Sequence, residues 1–124
     1  MSVFRILLSI LAVFHALFAG FTALAGAFAN GGEIWERLLL MLLHPLGAAG
    51  VLVLVLAPRL PRIANFTIAA VVLVVVIADL VLAQRIAAGA VKGDWELAVV
   101  FSAVPAVSIV YAMCLVWTSG ATGE

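Results

Sequence analysis

Three ionisable side chains interrupt long apolar segments of this sequence: His15, His44 and Asp79. They are its two histidines and the one carboxylate that lies well inside such a segment. An ionisable group inside a long apolar helix is costly to bury, so each is a functional hypothesis by default. Imidazole and carboxylate groups can share a proton, ligate a metal or join two helices by a hydrogen bond. Which chemistry applies depends on how the apolar segments bring the three together.

The relative depths of the three side chains can be estimated by counting residues from the turns that lie on one side of the predicted bundle. At 1.5 Å per helical residue, His44 and Asp79 lie at nearly one level, and His15 lies about 6 Å deeper. The segments of His15 and His44 are joined by the short glycine turn Asn30-Gly31-Gly32. A short connection predicts that these two segments are neighbours.

One use of the two histidines is to hold a b-type haem, since haem iron accepts axial imidazoles. Four-helix bundles place cofactor ligands on facing helices, which would make His15 and His44 the axial pair. Gly47 and Ala48 lie on the face of His44 and leave space for a flat macrocycle. Arg37, seven residues before His44 on the same face, is placed to meet a propionate. In this hypothesis Asp79 accepts a hydrogen bond that orients the imidazole of His44.

The same residues allow two other interpretations. A hydrogen bond between a histidine and Asp79 would satisfy two polar groups and fix the pairing of two helices without any ligand. Alternatively, buried acids and histidines form proton relays in transporters. One small bundle offers almost no water-lined path, so transport of protons or ions through Asp79 would require an oligomer. A partner for Asp79 must come from another helix, because its own face carries valines.

Four apolar segments must position these side chains. Spans are predicted at about 4–29, 34–57, 63–88 and 95–118, each near the roughly 20 residues that a crossing helix needs. Hydrophobic residues make up 68% of the 124-residue chain and charged residues 10%, against about 45–50% and 25% in soluble domains. The prediction is a single four-span membrane domain over residues 1–124. Its fold class is all-α, an integral membrane antiparallel four-helix bundle of two helical hairpins.

The two hairpins are predicted to form a parallel internal repeat. The second segment opens with Gly32-Glu33-Ile34-Trp35-Glu36 and the fourth with Gly93-Asp94-Trp95-Glu96. Each motif ends in a glutamate that a proline follows nine residues later, and these prolines are Pro45 and Pro105. Hairpins of the same orientation would be related by an axis along the membrane normal. The two histidines and the mid-span carboxylate all break the repeated pattern.

The sequence lacks the residues that several classes of function would require. The formal net charge is zero and there is no basic tract, so no nucleic-acid partner is expected. The single cysteine, Cys114, gives neither an internal disulfide nor a metal-ligand spacing. No phosphate loop, zinc motif or nucleophile elbow is present. The chain is therefore predicted not to be an enzyme, and no metal other than haem iron is expected.

Orientation in the cell membrane is weakly specified by the basic residues. Three lie on each side: Arg5, Arg59 and Arg62 on the terminal side, and Arg37, Arg85 and Lys92 on the other. The second group is interleaved with acids, and we predict that both termini are cytoplasmic, although the positive-inside rule counts mainly Lys and Arg. The first apolar segment exceeds the length of a signal-peptide core, so we predict that it is retained rather than cleaved.

The sequence favours a non-catalytic role as a small structural or accessory subunit of a larger membrane assembly. The loops between the apolar segments are short, almost no residues remain for a soluble domain, and no catalytic motif is present. Its expected partners are the lipid bilayer and either other membrane protein subunits or further copies of itself. A haem-binding electron-transfer bundle and an oligomeric proton or ion transporter stay open as alternatives.

Overall fold

The structure, a computed structural model, describes residues 3–28, 34, 38–57, 60–89 and 95–121, and nearly all of these residues are helical. The helices are α1 (Val3–Phe28), α2 (His44–Leu56), α3 (Arg62–Ala87) and α4 (Trp95–Ala121), with no strand in those ranges. A five-residue π-helical turn leads directly into α2. The predicted all-helical fold is thus confirmed, whereas the antiparallel bundle of two hairpins stays a prediction.

Three of the helices are long and apolar enough to cross a membrane. Their candidate spans are Val3–Leu24, Arg62–Ala87 and Trp95–Thr118. The remaining apolar helix, Met41–Leu56, is shorter. Residues 35–37 lie outside the described residues, so a crossing by the predicted segment 34–57 stays a prediction.

The ends of α3 follow from proline and glycine chemistry. Pro61 precedes the first helical residue with φ −53°, and its carbonyl accepts the backbone N–H of Asn65. The fixed φ of proline suits a helix start. At the other end, the N–H of Ala88 bonds to the carbonyl of Gln84, and Gly89 follows with φ +82°. Glycine adopts this left-handed conformation without steric cost and so ends the helix.

Pro45 explains the π-turn before α2. Proline has no N–H, and its ring clashes with the carbonyl four residues earlier, here that of Met41. The backbone widens over Leu39–Leu43, and the N–H of His44 bonds to the carbonyl of Leu39, five residues back. Single π-turns often mark functional sites because they change the direction in which the following side chains point. Here the residue directly after the turn is His44.

Pro105 lies in a different local structure, within the continuous α-helix α4. The repeated offset of Pro45 and Pro105 is therefore not accompanied by the same backbone geometry. The opening motifs of the predicted repeat fall mostly on residues 32–33, 35–36 and 93–94, which lie outside the described residues. The internal repeat stays a prediction.

Helix α2 packs against α1, α3 and α4, and α4 also packs against α1 and α3. Two glycines allow the backbones of α2 and α3 to approach closely. A Cβ atom added at Gly50 would lie 2.7 Å from Cγ2 of Val72, and one at Gly47 would lie 3.1 Å from Cγ1 of Val75. Small residues at such positions are typical of packed membrane helices. This approach brings the face of His44 within reach of α3.

The core is made of small and branched apolar side chains, while the bulkiest ones point outward. Buried core residues come from all four helices: Leu8, Ala12, Val51, Leu54, Val55, Ala69, Val72, Val76 and Ala112. On α1, Phe14, Leu17 and Phe21 are all more than 60% exposed. An apolar exposed surface of this kind fits a lipid environment, in which the polar groups of the interior need partners within the protein.

Candidate functional site

His44 and Asp79 form a direct contact inside the core, which their shared predicted depth allows. Nε2 of His44 lies 2.5 Å from Oδ1 of Asp79, and the two residues are only 4% and 1% exposed. His44 is the first residue of α2, directly after the π-turn, and Asp79 lies in the last third of α3. The contact joins two helices at a point where no solvent reaches either side chain.

Thr22 of α1 contacts the other ring nitrogen of His44. Its Oγ1 lies 3.1 Å from Nδ1 of His44 and 2.9 Å from the carbonyl oxygen of Ala19. A hydroxyl has one hydrogen, and a carbonyl can only accept. When this hydrogen is donated to Ala19, Nδ1 carries a proton and donates it to Oγ1 of Thr22.

This assignment fixes how many protons the pair holds. With Nδ1 protonated, the contact between Nε2 and Oδ1 requires one further proton between them. The pair is then either an imidazolium with a carboxylate or a neutral imidazole with a carboxylic acid. Both forms have zero net charge, and burying a pair without net charge costs less free energy than burying a charged one. In this tautomer, His44 and Asp79 share a single proton.

The second carboxyl oxygen of Asp79 distinguishes the two forms. Oδ2 is buried and has no hydrogen-bond partner among the described residues. A carboxylate would leave part of a full charge on this oxygen, whereas a protonated acid leaves only a carbonyl-type oxygen. Burying an unpaired charge costs far more than burying an unpaired neutral acceptor. The neutral pair is therefore the less costly of the two forms to bury.

Phe101 of α4 contacts both histidines. Its ring centroid is 4.2 Å from that of His44 and 4.4 Å from that of His15. The ring is buried, and its edge is also met by Phe18 at a centroid distance of 5.4 Å. His15 is buried too, but no hydrogen bond to its ring nitrogens is found among the described residues. The structure thus gathers His15 and His44 around an aromatic ring instead of placing them in contact.

This geometry does not fit a haem held by both histidines. An axial imidazole must offer one ring nitrogen to the iron, yet both nitrogens of His44 are hydrogen-bonded, to Thr22 and Asp79. Arg37, the predicted propionate partner, lies outside the described residues. Haem b ligation has no support from this site and stays a sequence prediction.

The two buried serines among the described residues are hydrogen-bonded within their own helix. Ser102 donates to the carbonyl of Val99, and Ser108 donates to that of Val104. Bonds of this type, back to the preceding turn, are the usual fate of serine in an apolar helix. The described residues contain no group of three or more His, Cys, Asp or Glu side chains that could hold a metal ion. The Thr22–His44–Asp79 network is therefore the candidate site.

Two members of this site could not be identified from the sequence alone. Thr22 lies two turns after His15, so its position on the same helical face was visible, but not its distance from His44. Phe101 carries no signal in the sequence, because an aromatic residue in an apolar helix is ordinary. Only the orientation of α4 makes it a neighbour of both histidines.

Comparison with known protein families, curated proteins and solved structures gave no match to this chain.

Proposed function

We propose that this chain is a multi-pass membrane protein that binds and releases a proton at the His44–Asp79 pair. The observation that carries the proposal is a proton-sharing contact in an apolar core, with Oδ2 of Asp79 left without a partner among the described residues. Ionisable groups are retained at such depth mainly where they serve a pathway or a switch. A purely packing role would be met at lower cost by apolar side chains of similar volume.

The chemistry needs no bond other than those to hydrogen. In the resting pair, Asp79 donates its proton to Nε2 of His44, whose Nδ1–H donates to Thr22. Loss of one proton leaves a carboxylate that accepts from the imidazole, with a net charge of minus one. Gain of one proton gives an imidazolium beside a carboxylic acid, with a net charge of plus one. Either change charges the core and so favours a conformation that admits water or a counter-charge.

A single copy of the chain offers few polar groups that could carry a proton to the His44–Asp79 pair. The interior around α2 towards its C-terminal end is lined by apolar side chains such as Val51, Leu54 and Val72. Proton exchange with the outside therefore requires water that enters when the helices move, or polar groups of another chain. This supports a role within a homo-oligomer or as a subunit of a larger membrane assembly.

Histidine nitrogen NMR tests the proposal directly, because the chain has only two histidines. The full chain with ¹⁵N-labelled histidine is reconstituted into phosphatidylcholine vesicles and its ring signals are followed with pH. We expect the His44 signals to change protonation reversibly while the protein stays folded. Asp79→Asn is expected to change the pH dependence of these signals. Glu96→Gln, at the acid in the exposed first turn of α4, is the matched control and should leave it unaltered.

Two results would count against proton binding. One is a His44 signal that stays constant over the whole pH range in which the helices persist. The other is an equal effect of Asp79→Asn and Glu96→Gln. A pH-sensitive dye inside the same vesicles then shows whether the chain alone moves protons. Flux that is lost in Asp79→Asn identifies a transporter, and titration without flux identifies a subunit that needs a partner.

A structural accessory subunit is the second candidate, and the connectivity of the network favours it. Thr22, His44 and Asp79 lie on three different helices, so their hydrogen bonds join α1, α2 and α3. In this role the network only fixes helix pairing. The chain would then co-purify with a defined membrane complex, and Asp79→Asn would keep that complex intact because an amide can still bond to His44. Failure of the chain to enter any complex in native membranes would reject this role.

A further inference from the structure

We infer that His15 is a second proton-binding group of the site, and that Phe101 is the barrier between it and the His44–Asp79 pair. This inference rests on the proposed proton-binding function and adds the route by which the proton reaches the pair. It follows from the contact of one aromatic ring with both of the chain's imidazoles.

The ring geometry excludes direct transfer in the observed conformation. Proton transfer needs donor and acceptor atoms at hydrogen-bond distance, or one water between them. The ring of Phe101 contacts both imidazoles, at centroid distances of 4.4 Å and 4.2 Å, and offers no group that accepts and passes on a proton. If the ring swings aside, a water molecule can enter the space that it leaves and bridge the two imidazoles, since a bridging water needs two or more polar partners.

The turn of α4 that carries Phe101 lacks one backbone hydrogen bond. Pro105 follows Phe101 by four residues and has no N–H, so the carbonyl of Phe101 lacks its usual helical partner. Prolines in membrane helices are common sites of kinks for this reason. Pro105 is itself fully buried, so it lies inside the helix packing. A small change at this turn displaces the ring of Phe101 without unfolding the rest of α4.

The groups around His44 leave His15 as the one available relay among the described residues. From α3 the titratable group in contact is Asp79, and from α1 the polar contact is Thr22. From α4 the contact is the ring of Phe101, which does not titrate. The other charged residues in the described ranges, Arg5, Arg62, Arg85 and Glu96, are near the ends of their helices.

The proposed step conserves protons and charge. Protonated His15 gives one proton, through a bridging water, to the pair in its deprotonated state. His15 becomes neutral, and the pair passes from a net charge of minus one to zero. The reverse step returns the proton to His15. No electrons move and no bond to carbon, nitrogen or oxygen other than N–H and O–H is made or broken.

The experiment measures how fast the ring proton of His44 exchanges with solvent, by ¹⁵N NMR of the full chain in phosphatidylcholine vesicles. Phe101→Ala is expected to accelerate exchange by about tenfold or more, equivalent to a barrier lowered by about 1.4 kcal/mol. Phe101→Leu, which leaves a smaller opening, should accelerate it less. Pro105→Ala restores the backbone hydrogen bond to Phe101 and should slow exchange. Phe14→Ala, at a ring 64% exposed on the outer face of α1, is the matched control and should change nothing.

A double replacement separates a relay from a simple leak of water. If His15 passes the proton, the acceleration in Phe101→Ala is lost when His15→Phe is added. If the acceleration persists in the double variant, or if Phe101→Ala and Phe101→Leu exchange no faster than Phe14→Ala, the inference is overturned. Circular dichroism checks that each variant keeps its helices. If the His44 signals change with pH but the exchange rate is the same in the Phe101 and His15 variants, this inference alone is refuted. If the His44 signals never change with pH, the proposed function is refuted.

Discussion

At the scale of single residues, the His44–Asp79 contact sets how much stability the site contributes. Interhelical hydrogen bonds in membrane proteins contribute about 0.6 kcal/mol on average and at most about 1.7. Leaving one buried partner unsatisfied costs about 1–3 kcal/mol. Removing one partner from a buried ion pair costs about 3–5 kcal/mol. The size of the loss therefore reports which form of the pair is present.

We expect Asp79→Leu to lower the free energy of unfolding by about 1–3 kcal/mol, because it leaves Nε2 of His44 without a partner. Asp79→Asn should lower it by less than about 1 kcal/mol, since the amide can donate to the same nitrogen. Titration with a denaturing detergent, followed by circular dichroism, measures both changes. A loss in Asp79→Asn as large as that in Asp79→Leu would show that the pair is ionic rather than neutral.

The sequence predicted part of this site because ionisable residues in apolar helices are conspicuous. Counting from shared turns placed His44 and Asp79 at one depth, and the structure puts them in contact. It also placed His15 deeper, and in the structure His15 and His44 both contact the ring of Phe101. Thr22 and Phe101 could not be assigned, because a single sequence does not reveal how far each helix is rotated about its axis.

At the scale of helices, the glycines of α2 determine how closely it approaches α3. Gly50→Ala would place a methyl group 2.7 Å from Cγ2 of Val72, and valine has few alternative rotamers. We expect a loss of about 1–3 kcal/mol from overpacking. Gly20→Ala meets nothing within 4 Å and should stabilise α1 by about 0.5–1 kcal/mol. The same detergent titration compares them, and equal effects at the two glycines would contradict the close packing of α2 on α3.

The helices themselves were largely predictable, whereas their local irregularities were not. Apolar runs bounded by charges gave the extents of α1, α3 and α4, because backbone groups in lipid must be satisfied within a helix. Pro45 and Pro105 carry the same sequence signal, yet only Pro45 is preceded by a π-turn. The choice between a kink and a widened turn depends on the packing of neighbouring helices, which a sequence does not specify.

At the scale of the whole molecule, the number of crossings can be tested with reporters fused to each end. Four crossings place both termini on one side of the membrane, and three crossings place them on opposite sides. We predict that a reporter active only in the cytoplasm is active when it is fused to either terminus. A reporter active only outside the cytoplasm should be inactive at both termini. A split result would show that the segment 34–57 does not cross, consistent with the shorter helix Met41–Leu56.

The contacts between α1 and α2 have a consequence for the order in which the protein is made. Arg5 donates to the carbonyls of Val55 and Leu56, and Thr22 contacts His44 near the opposite end of α2. Both attachments use residues that leave the ribosome before α3 does. Helices α1 and α2 can thus pack together while translation continues, with Nε2 of His44 still without its partner. Asp79 is made later, and its arrival on α3 completes the hydrogen bonds of the His44 ring.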